Sequence, residues 1–477
     1  MLKIFNTLTR KKDFFFSVCS KKINMYVCGI TVYDSCHIGH GRTFTIFDVI
    51  LKYFKHCQYK VKYVRNITDI DDKIIQKSRI NKENIYSLTQ RMISNMLYDF
   101  KKLGITLPQY QPRATNHINT IIYMIEKLLK NKHAYIAKNG DVVFSISSYL
   151  NYGSFSNQSL KKLKYFNNID LSNIKRDRKD FILWKKQVCL DDPCWKSPWG
   201  YGRPGWHIEC SAINYDYFLN NIDIHGGGID LLFPHHENER AQSICFHNTQ
   251  YGHFWIHVGM LLVKNKKMSK SLNNALILKK ILKIYNSEVV RYFFLSTHYR
   301  SPLYYSQENL EKSKNALIKL YFILYTSMLK DKVLTTNILY QYNNKFSIYF
   351  YSALNDDFNI PKALSILFQL ERKIQFYLKY DNVILANQLA YQLKYLANII
   401  GLLDQDPINF LNQCHFFCTS YSLQQHDNYI IDIIRKRNIA RKYKLWEKAD
   451  KLRDKLYALN VIFQDTKDGT LWKNRYF

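Results

Sequence analysis

Three groups of residues in this 477-residue sequence combine types and spacings that chemistry could use. Cys28, Cys210, Glu239 and one of His235 or His236 supply thiol, carboxylate and imidazole, all of them zinc donors. His235 stands four residues before Glu239 and His236 three, so either imidazole shares a helix face with the carboxylate and spacing leaves the choice open. The second group is His37-Ile38-Gly39-His40, between a predicted strand and a predicted helix. A helix starting there presents unpaired backbone N–H groups, to which phosphate oxygens bind. The third is Lys267-Met268-Ser269-Lys270-Ser271, a basic loop, a kind of segment that is as often simply solvated as functional.

The elements that must position these groups follow from hydrophobic period. Residues 23–28 read as a buried strand, and Phe47, Ile50, Leu51 and Phe54 recur at helical spacing, so one helix face packs on a sheet. Residues 60–65 read as a second strand, with the polar loop 66–72 at its end. Two further buried strands are predicted over 222–228 and 254–258, with a helix carrying residues 234–240 between them. Nine of the sixteen glycines fall within 29–41, 200–205 and 226–228. Glycine lets backbone approach a ligand closely, so in a glycine-poor chain these windows mark the walls of a site. Residues 82–130 read as helical, and a short strand at 141–145 lies in a lysine-rich stretch that interrupts the α/β pattern until about 195. Beyond 310 the period is helical, with Leu317, Leu320 and Leu324 on one face and Ala363, Leu367 and Leu370 on another.

The formal net charge is +31, from 69 Lys+Arg against 38 Asp+Glu, which suits a polyanion such as RNA. Abundant Lys, Asn, Ile and Tyr beside scarce Gly and Pro carry the stamp of AT-rich codons, so local clusters of charge weigh more than the total. Ten scattered cysteines form no framework and residues 14–16 are too short a run for a secretory h-region, which predicts reduced thiols in the cytoplasm. No apolar run approaches ~18 residues, so no membrane span is expected. The chain has no Walker A string and no G-x-G-x-x-G, and the His225-Gly226-Gly227-Gly228 loop has no G-x-S-x-G elbow to serve.

The string YVCGITVYDSCHIGHGR at 26–42 contains HIGH, and 267–271 spells KMSKS, so the chain resembles the class I aminoacyl-tRNA synthetases. With Cys28 ahead of HIGH and SPWGYGRPGWHIECS at 197–211 it resembles the cysteinyl-tRNA synthetase family in particular. The resemblance implies an α/β fold: a class I Rossmann-like core with a parallel sheet and an inserted connective domain, then an α-helical bundle and a small C-terminal anticodon-binding domain. It implies a monomer that activates L-cysteine with ATP to the adenylate, releases pyrophosphate and transfers cysteine to the 3′ end of tRNA(Cys). It implies one Zn²⁺ per chain on Cys28, Cys210, His235 and Glu239, taking the substrate thiol as thiolate, a bond serine cannot match. His37, His40, Lys267 and Lys270 are the implied catalytic residues, with His37, His40 and Lys270 on ATP and Mg²⁺ on its phosphates. Gly29, Thr68, Trp206 and His225 are implied around the amino acid and adenylate. Gly41 departs from the family, which more usually has Ala after HIGH.

The expected domains are 1–115 and 200–260 for the two halves of the catalytic core, 116–199 for the connective insertion and 261–309 for a stem-contact region with the KMSKS loop. The helical bundle follows at 310–403, a linker at 404–427 and the anticodon-binding domain at 428–477. Residues 435–455 hold ten Lys/Arg against three Asp/Glu. Ile439, Tyr443, Trp446, Ala449, Leu452, Leu456 and Leu459 recur at spacings of three and four, which predicts one continuous helix with its charges outward. Here the resemblance implies that Arg441, Trp446, Asp450, Arg453 and Asp465 read the anticodon, by stacking and by hydrogen bonds to base edges. A paralogous ligase joining cysteine to a small amine would lack this basic C-terminal domain, and a catalytically dead RNA-binding protein would have no need of HIGH, KMSKS and the zinc donors together.

Overall fold

The computed structural model describes residues 1–158, 174–219, 221–263, 266–267, 276–330, 345–414, 426–459, 461–466 and 469–474. Its central sheet begins with β1 (Lys22–Thr31), followed by α1 (Ile38–His56) and β2 (Lys60–Thr68). Met25, Tyr26 and Val27 are all fully buried, as expected where a parallel sheet is covered on both faces and side chains of either parity are apolar. α1 buries Phe44, Phe47, Ile50 and Phe54.

Helices α2 (Asp72–Asn81), α3 (Ile85–Lys102) and α4 (Ile118–Lys130) follow. The stretch that reads as helical through 82–130 is interrupted, because Pro108 and Pro112 cannot continue a helix. The interrupting segment instead runs beside β2, accepting Arg65 N–H at Tyr110 O (3.1 Å) and Ile67 N–H at Pro112 O (2.8 Å). It thereby covers the sheet's outer edge.

The lysine-rich interruption folds as an antiparallel sheet of β3 (Ala134–Ile136), β4 (Val142–Phe144), β5 (Phe181–Lys186) and β6 (Gly202–Pro204), in that order. The chain then returns through α5 (Trp206–Phe218), β7 (Ile224–Gly228), α6 (Glu237–His247) and β8 (Phe254–Val258). Ile121, Met124, Ile125 and Leu128 of α4 share one core with Phe144, Leu183, Trp184, Ile208 and Ala241, so the inserted sheet is packed against α4, α5 and α6.

The central sheet has the order β8-β7-β1-β2, all parallel. From β1 the chain builds outward to β2 and later, on the other side, to β7 and β8. Strand order therefore reverses between β1 and β7, and ligands of open α/β sheets bind at such a switch point, beyond the strands' C-terminal ends. After β8 come β9 (Leu261–Val263), β10 (Lys266–Lys267), α7 (Leu278–Ile284), α8 (Ser287–Leu295) and β11 (Leu303–Tyr305), with β9 between β10 and β11 in a small sheet.

Two compact units result. The first comprises Met1–Asn309, Asn343–Ile366 and Ile399–Gly401, and holds every element named so far. The second comprises Leu310–Tyr342, Leu367–Asn398 and Leu402–Phe477. In the second unit Tyr321 stacks on Phe410, centroids 4.0 Å apart, and Pro407–Gln413 forms a short helix capped by Asp406 inside the stretch that reads as a linker. The single helix expected over 435–459 is two helices, His426–Lys442 and Trp446–Ala458, with Lys444 in the left-handed conformation between them (φ 56°). A three-residue connection preserved the three-and-four spacing across the break, so the pattern could not reveal it. The core there is Ile430, Ile433, Ile434, Leu456 and Val461, whereas Ile439, Tyr443 and Trp446 are exposed. No helix among the described residues is long and apolar enough to cross a membrane.

Candidate active site

The site starts from an irregularity in β1. Val27 pairs with Arg65 of β2, yet the next pair is Ile30 with Ile67, so Cys28 and Gly29 occupy a bulge with one residue more than the partner strand. Gly29 is required there, since an added Cβ would lie 1.7 Å from Asn66 O. The Gly29 amide donates to Asn66 Oδ1 (2.7 Å), Asn66 Nδ2 to Thr68 Oγ1 (3.3 Å), and Thr68 Oγ1 to Glu209 Oε2 (2.9 Å). Thr68 is thus fixed by a buried chain of hydrogen bonds that ends on a carboxylate which the sequence did not single out. Burial raises the Glu209 carboxyl well above the usual range.

The bulge points Cys28 into a buried group of metal-binding side chains. Donor atoms of Cys28, His235, His236 and Glu239 all lie within 4.8 Å of one another. His236 Nε2 is 3.3 Å from Cys28 Sγ, Glu239 Oε2 is 3.6 Å from it, and His235 Nε2 is 3.5 Å from Glu239 Oε2. Cys210, on α5, stands beside them with its Sγ 3.8 Å from that of Cys28. The fold therefore gathers Cys28, Glu239 and both imidazoles into one group, with Cys210 beside it rather than within it. Burial lowers His235 to about 3, helped by His207 at 3.0 Å, and lowers His236 well below the ordinary imidazole value, so both rings are neutral as a metal requires. Burial raises the Cys28 thiol, as does its contact with Cys210. Burial alone would raise Glu239, but His225, His235 and Tyr251 outweigh it and hold its carboxyl low. A thiol, two imidazoles and a carboxylate with little water about them suit Zn²⁺.

A cavity of about 340 Å³ lies along the C-terminal edge of the sheet and meets this cluster at Cys28. Cys28, Gly29, Thr31, Trp206, His37, Gly39 and His40 are among the residues that line it. His37 caps α1 by accepting from the His40 amide (3.2 Å), and the two rings stack with centroids 3.5 Å apart. The paired imidazoles and the first turn of α1 thereby border the same cavity as Cys28 of the metal-binding cluster. Gly228, Asp230, Val258, Gly259, Met260 and Leu261 complete the wall with Tyr33 and Lys73. Trp206 is the first residue of α5 and lies against His235, 4.6 Å between centroids. His225 and Thr68 stand behind the wall: His225 is buried, stacked on Trp255 (4.1 Å) and hydrogen-bonded to Glu239.

A family model described as tRNA synthetases class I (C) catalytic domain matches residues 14–315, and a DALR domain model matches residues 349–404. A cysteine–tRNA ligase of Buchnera aphidicola (subsp. Acyrthosiphon pisum, strain Tuc7) is 52% identical over 477 residues, covering 99% of each chain. The chain belongs to the cysteine–tRNA ligase family of class I synthetases. Members from Histophilus somni (strain 2336) and Pasteurella multocida (strain Pm70) are 48% and 47% identical, over 99% and 100% of this chain and the whole of each relative. The methionyl-tRNA synthetase of Mycobacterium tuberculosis with methionyl-adenylate matches at TM-score 0.56 and 11% identity, over 87% of this chain and 94% of its own. A leucyl enzyme of Agrobacterium radiobacter K84 matches at 0.58 and 10%, over 84% and 86%; both share the class I fold.

The remaining expected residues divide. Of KMSKS, Lys267 lies on β10, its backbone paired with Leu262, while Lys270 falls outside the described residues. In the second unit Asp465 is held by a two-pronged contact from Arg437 (2.7 and 2.7 Å) and by Arg441. Asp450 pairs with Arg453 at 2.8 Å, and Trp446 is 58% exposed. Arg437 was not anticipated from the sequence, where it is one cation among ten. Asp230 was also missed, although an acid just past the end of a strand beside the switch point is a readable signal.

Proposed function

We propose that the cavity carries out both half-reactions of cysteine–tRNA ligation: L-cysteine and ATP give cysteinyl-adenylate and pyrophosphate, and the adenylate then gives cysteinyl-tRNA(Cys) and AMP. The observation that supports this most is one cavity joining a buried thiol–imidazole–carboxylate cluster at Cys28 to the paired imidazoles of His37 and His40, in a chain 52% identical to a cysteine–tRNA ligase. Cys28, Cys210, His235 and Glu239 are the proposed zinc ligands, one ion per chain, with His236 as the fifth candidate. A zinc ion held by these residues would supply a Lewis acid for a thiolate, which would favour cysteine over serine without editing.

The chain's own groups then do the following. Gly29, Thr68 and Trp206 orient the amino acid, and His225 keeps Glu239 turned toward the cluster. The substrate carboxylate attacks the α-phosphorus in line, and pyrophosphate leaves with the bond's electron pair. Charge growing on the phosphoryl oxygens is met by His37, His40 and Lys270, with Lys267 beside them and Mg²⁺ accompanying the ATP. In the second step the terminal ribose hydroxyl of the tRNA attacks the activated carbonyl and AMP departs. Arg441, Trp446, Asp450, Arg453 and Asp465 are the proposed anticodon contacts. The protein is proposed to act as a cytoplasmic monomer.

Aminoacylation of unfractionated tRNA by the purified protein, comparing cysteine with serine and methionine, tests this reading. Cysteine attached to tRNA with the other two near background is expected. No charging by cysteine would refute it.

A further inference from the structure

Arg42 lies two residues beyond His40 on α1 and is 1% exposed. Among the described residues its hydrogen bonds all go to backbone carbonyls, and none goes to an acidic side chain. Its guanidinium donates to Gly259 O (2.8 Å), Met260 O (2.9 Å) and Ser301 O (2.6 Å), with His298 O and Tyr299 O at 3.4 and 3.5 Å. Gly259 and Met260 are part of the cavity wall, and they lead directly into β9, whose partner strand β10 carries Lys267. The carbonyls at 298–301 belong to the loop entering β11, which pairs with β9 from the other side. The cage leaves no room for a side chain on the wall: a Cβ at Gly259 would lie 2.5 Å from Ser301 O and 2.6 Å from Arg300 O.

A planar cation with five donors in fixed directions can hold several carbonyls at set positions, which a lysine's point charge cannot. We infer that Arg42 is a positioning residue for ATP: it fixes the helix bearing His37 and His40 against the strands that carry the first lysine of KMSKS. Arg42 does not itself line the cavity. The amino-acid end of the cavity is built by β1 and α5, which contribute nothing to the cage, so the two substrates report on Arg42 separately. This inference rests on the reading of that cavity end as the ATP site.

Cysteine-dependent ATP–pyrophosphate exchange tests it on Arg42→Lys, which keeps the charge, and on Gly259→Ala, whose Cβ pushes on the Ser301 carbonyl of the cage with Arg42 intact. Both variants should raise the KM for ATP at least tenfold while the KM for cysteine and the bound zinc per chain stay within twofold of the parent. Should Arg42→Lys not fold, Gly259→Ala decides alone. An unchanged KM for ATP in folded variants would overturn the inference, as would parallel increases for both substrates, the mark of general loosening. A parent protein with no exchange activity would instead refute the proposed reaction itself.

Discussion

Replacing Gly29 with alanine should lower cysteine activation on the order of 100-fold in a protein that still folds. The added Cβ would sit 1.7 Å from Asn66 O, and real Cβ contacts essentially never fall below 3.0 Å, so β1 and β2 must part locally by about 1.3 Å. Neither partner can yield by rotating a side chain, because the obstacle is backbone. Overpacking of this kind costs about 1–3 kcal/mol of stability, which a chain of this size survives at 25 °C. The functional loss is larger, because the displaced residue neighbours Cys28 and its own amide orders the chain through Asn66 to Thr68. Misplacing reacting groups by about 1 Å costs on the order of 100-fold, or roughly 2.7 kcal/mol in the barrier. Pyrophosphate exchange at saturating ATP should show that drop in kcat/KM for cysteine, and circular dichroism should show a native-like fold. Gly41→Ala is the comparison: its Cβ would meet only side-chain atoms of Phe294 and Leu278 at 3.1–3.3 Å, which can give way, so its activity should stay within about threefold of the parent. Exchange by Gly29→Ala at more than a tenth of the parental rate would refute the argument.

Three further outcomes are expected. Chelation should remove one zinc per chain by elemental analysis and erase the preference for cysteine over serine in adenylate formation, and Glu239→Gln should bind zinc weakly for the same reason; preserved discrimination in metal-free protein would count against zinc selection. Trp446→Ala should raise the KM for tRNA about tenfold, since an aromatic–base stack is worth roughly 1–3 kcal/mol, and leave pyrophosphate exchange unaltered. Burial raises the Asp99 carboxyl to about 6, against the nearby Lys279 and Lys102. Between about 4 and 6 the folded protein therefore holds a proton that the unfolded chain has released, so stability falls as pH rises through that window. Asp99→Asn should stabilise the protein by on the order of 2 kcal/mol at pH 8 and by much less at pH 4 in thermal melts; an equal gain at both values would exclude this cause.

The sequence made the chemistry legible where local pattern and chemistry coincide. HIGH sits at a strand-to-helix junction, and the apolar period of β1 and α1 announces that junction without tertiary help. The candidate metal-binding side chains were readable as types, yet His235 and His236 could not be separated, and the fold explains why: both rings reach the same group of atoms from one turn. The bulge at Cys28–Gly29 has no signature in one strand alone, because a register shift is a property of a pair. Arg42 read as one cation among 69 Lys+Arg until its carbonyl partners were known. The prolines that break the stretch after α3 were visible, but where the freed segment would go depended on an open sheet edge that only the assembled topology provides.

The contact between the two signature regions also has a consequence for synthesis. Ile38 N–H donates to Leu276 O (3.0 Å) and Leu278 N–H to Cys36 O (2.9 Å), so the helix start at HIGH is braced by residues just past KMSKS. Closing a loop of about 240 residues costs little more free energy than closing one of half that length, since closure entropy grows only with the logarithm of length. Time is the scarcer quantity. At about 5–20 residues per second on a ribosome, the far side of this brace emerges on the order of 10–50 s after the near side. Until then a nascent chain owns the histidines but not the frame that aims them. If His37 and His40 act on ATP as proposed, a fragment ending before residue 276 should show no ATP–pyrophosphate exchange.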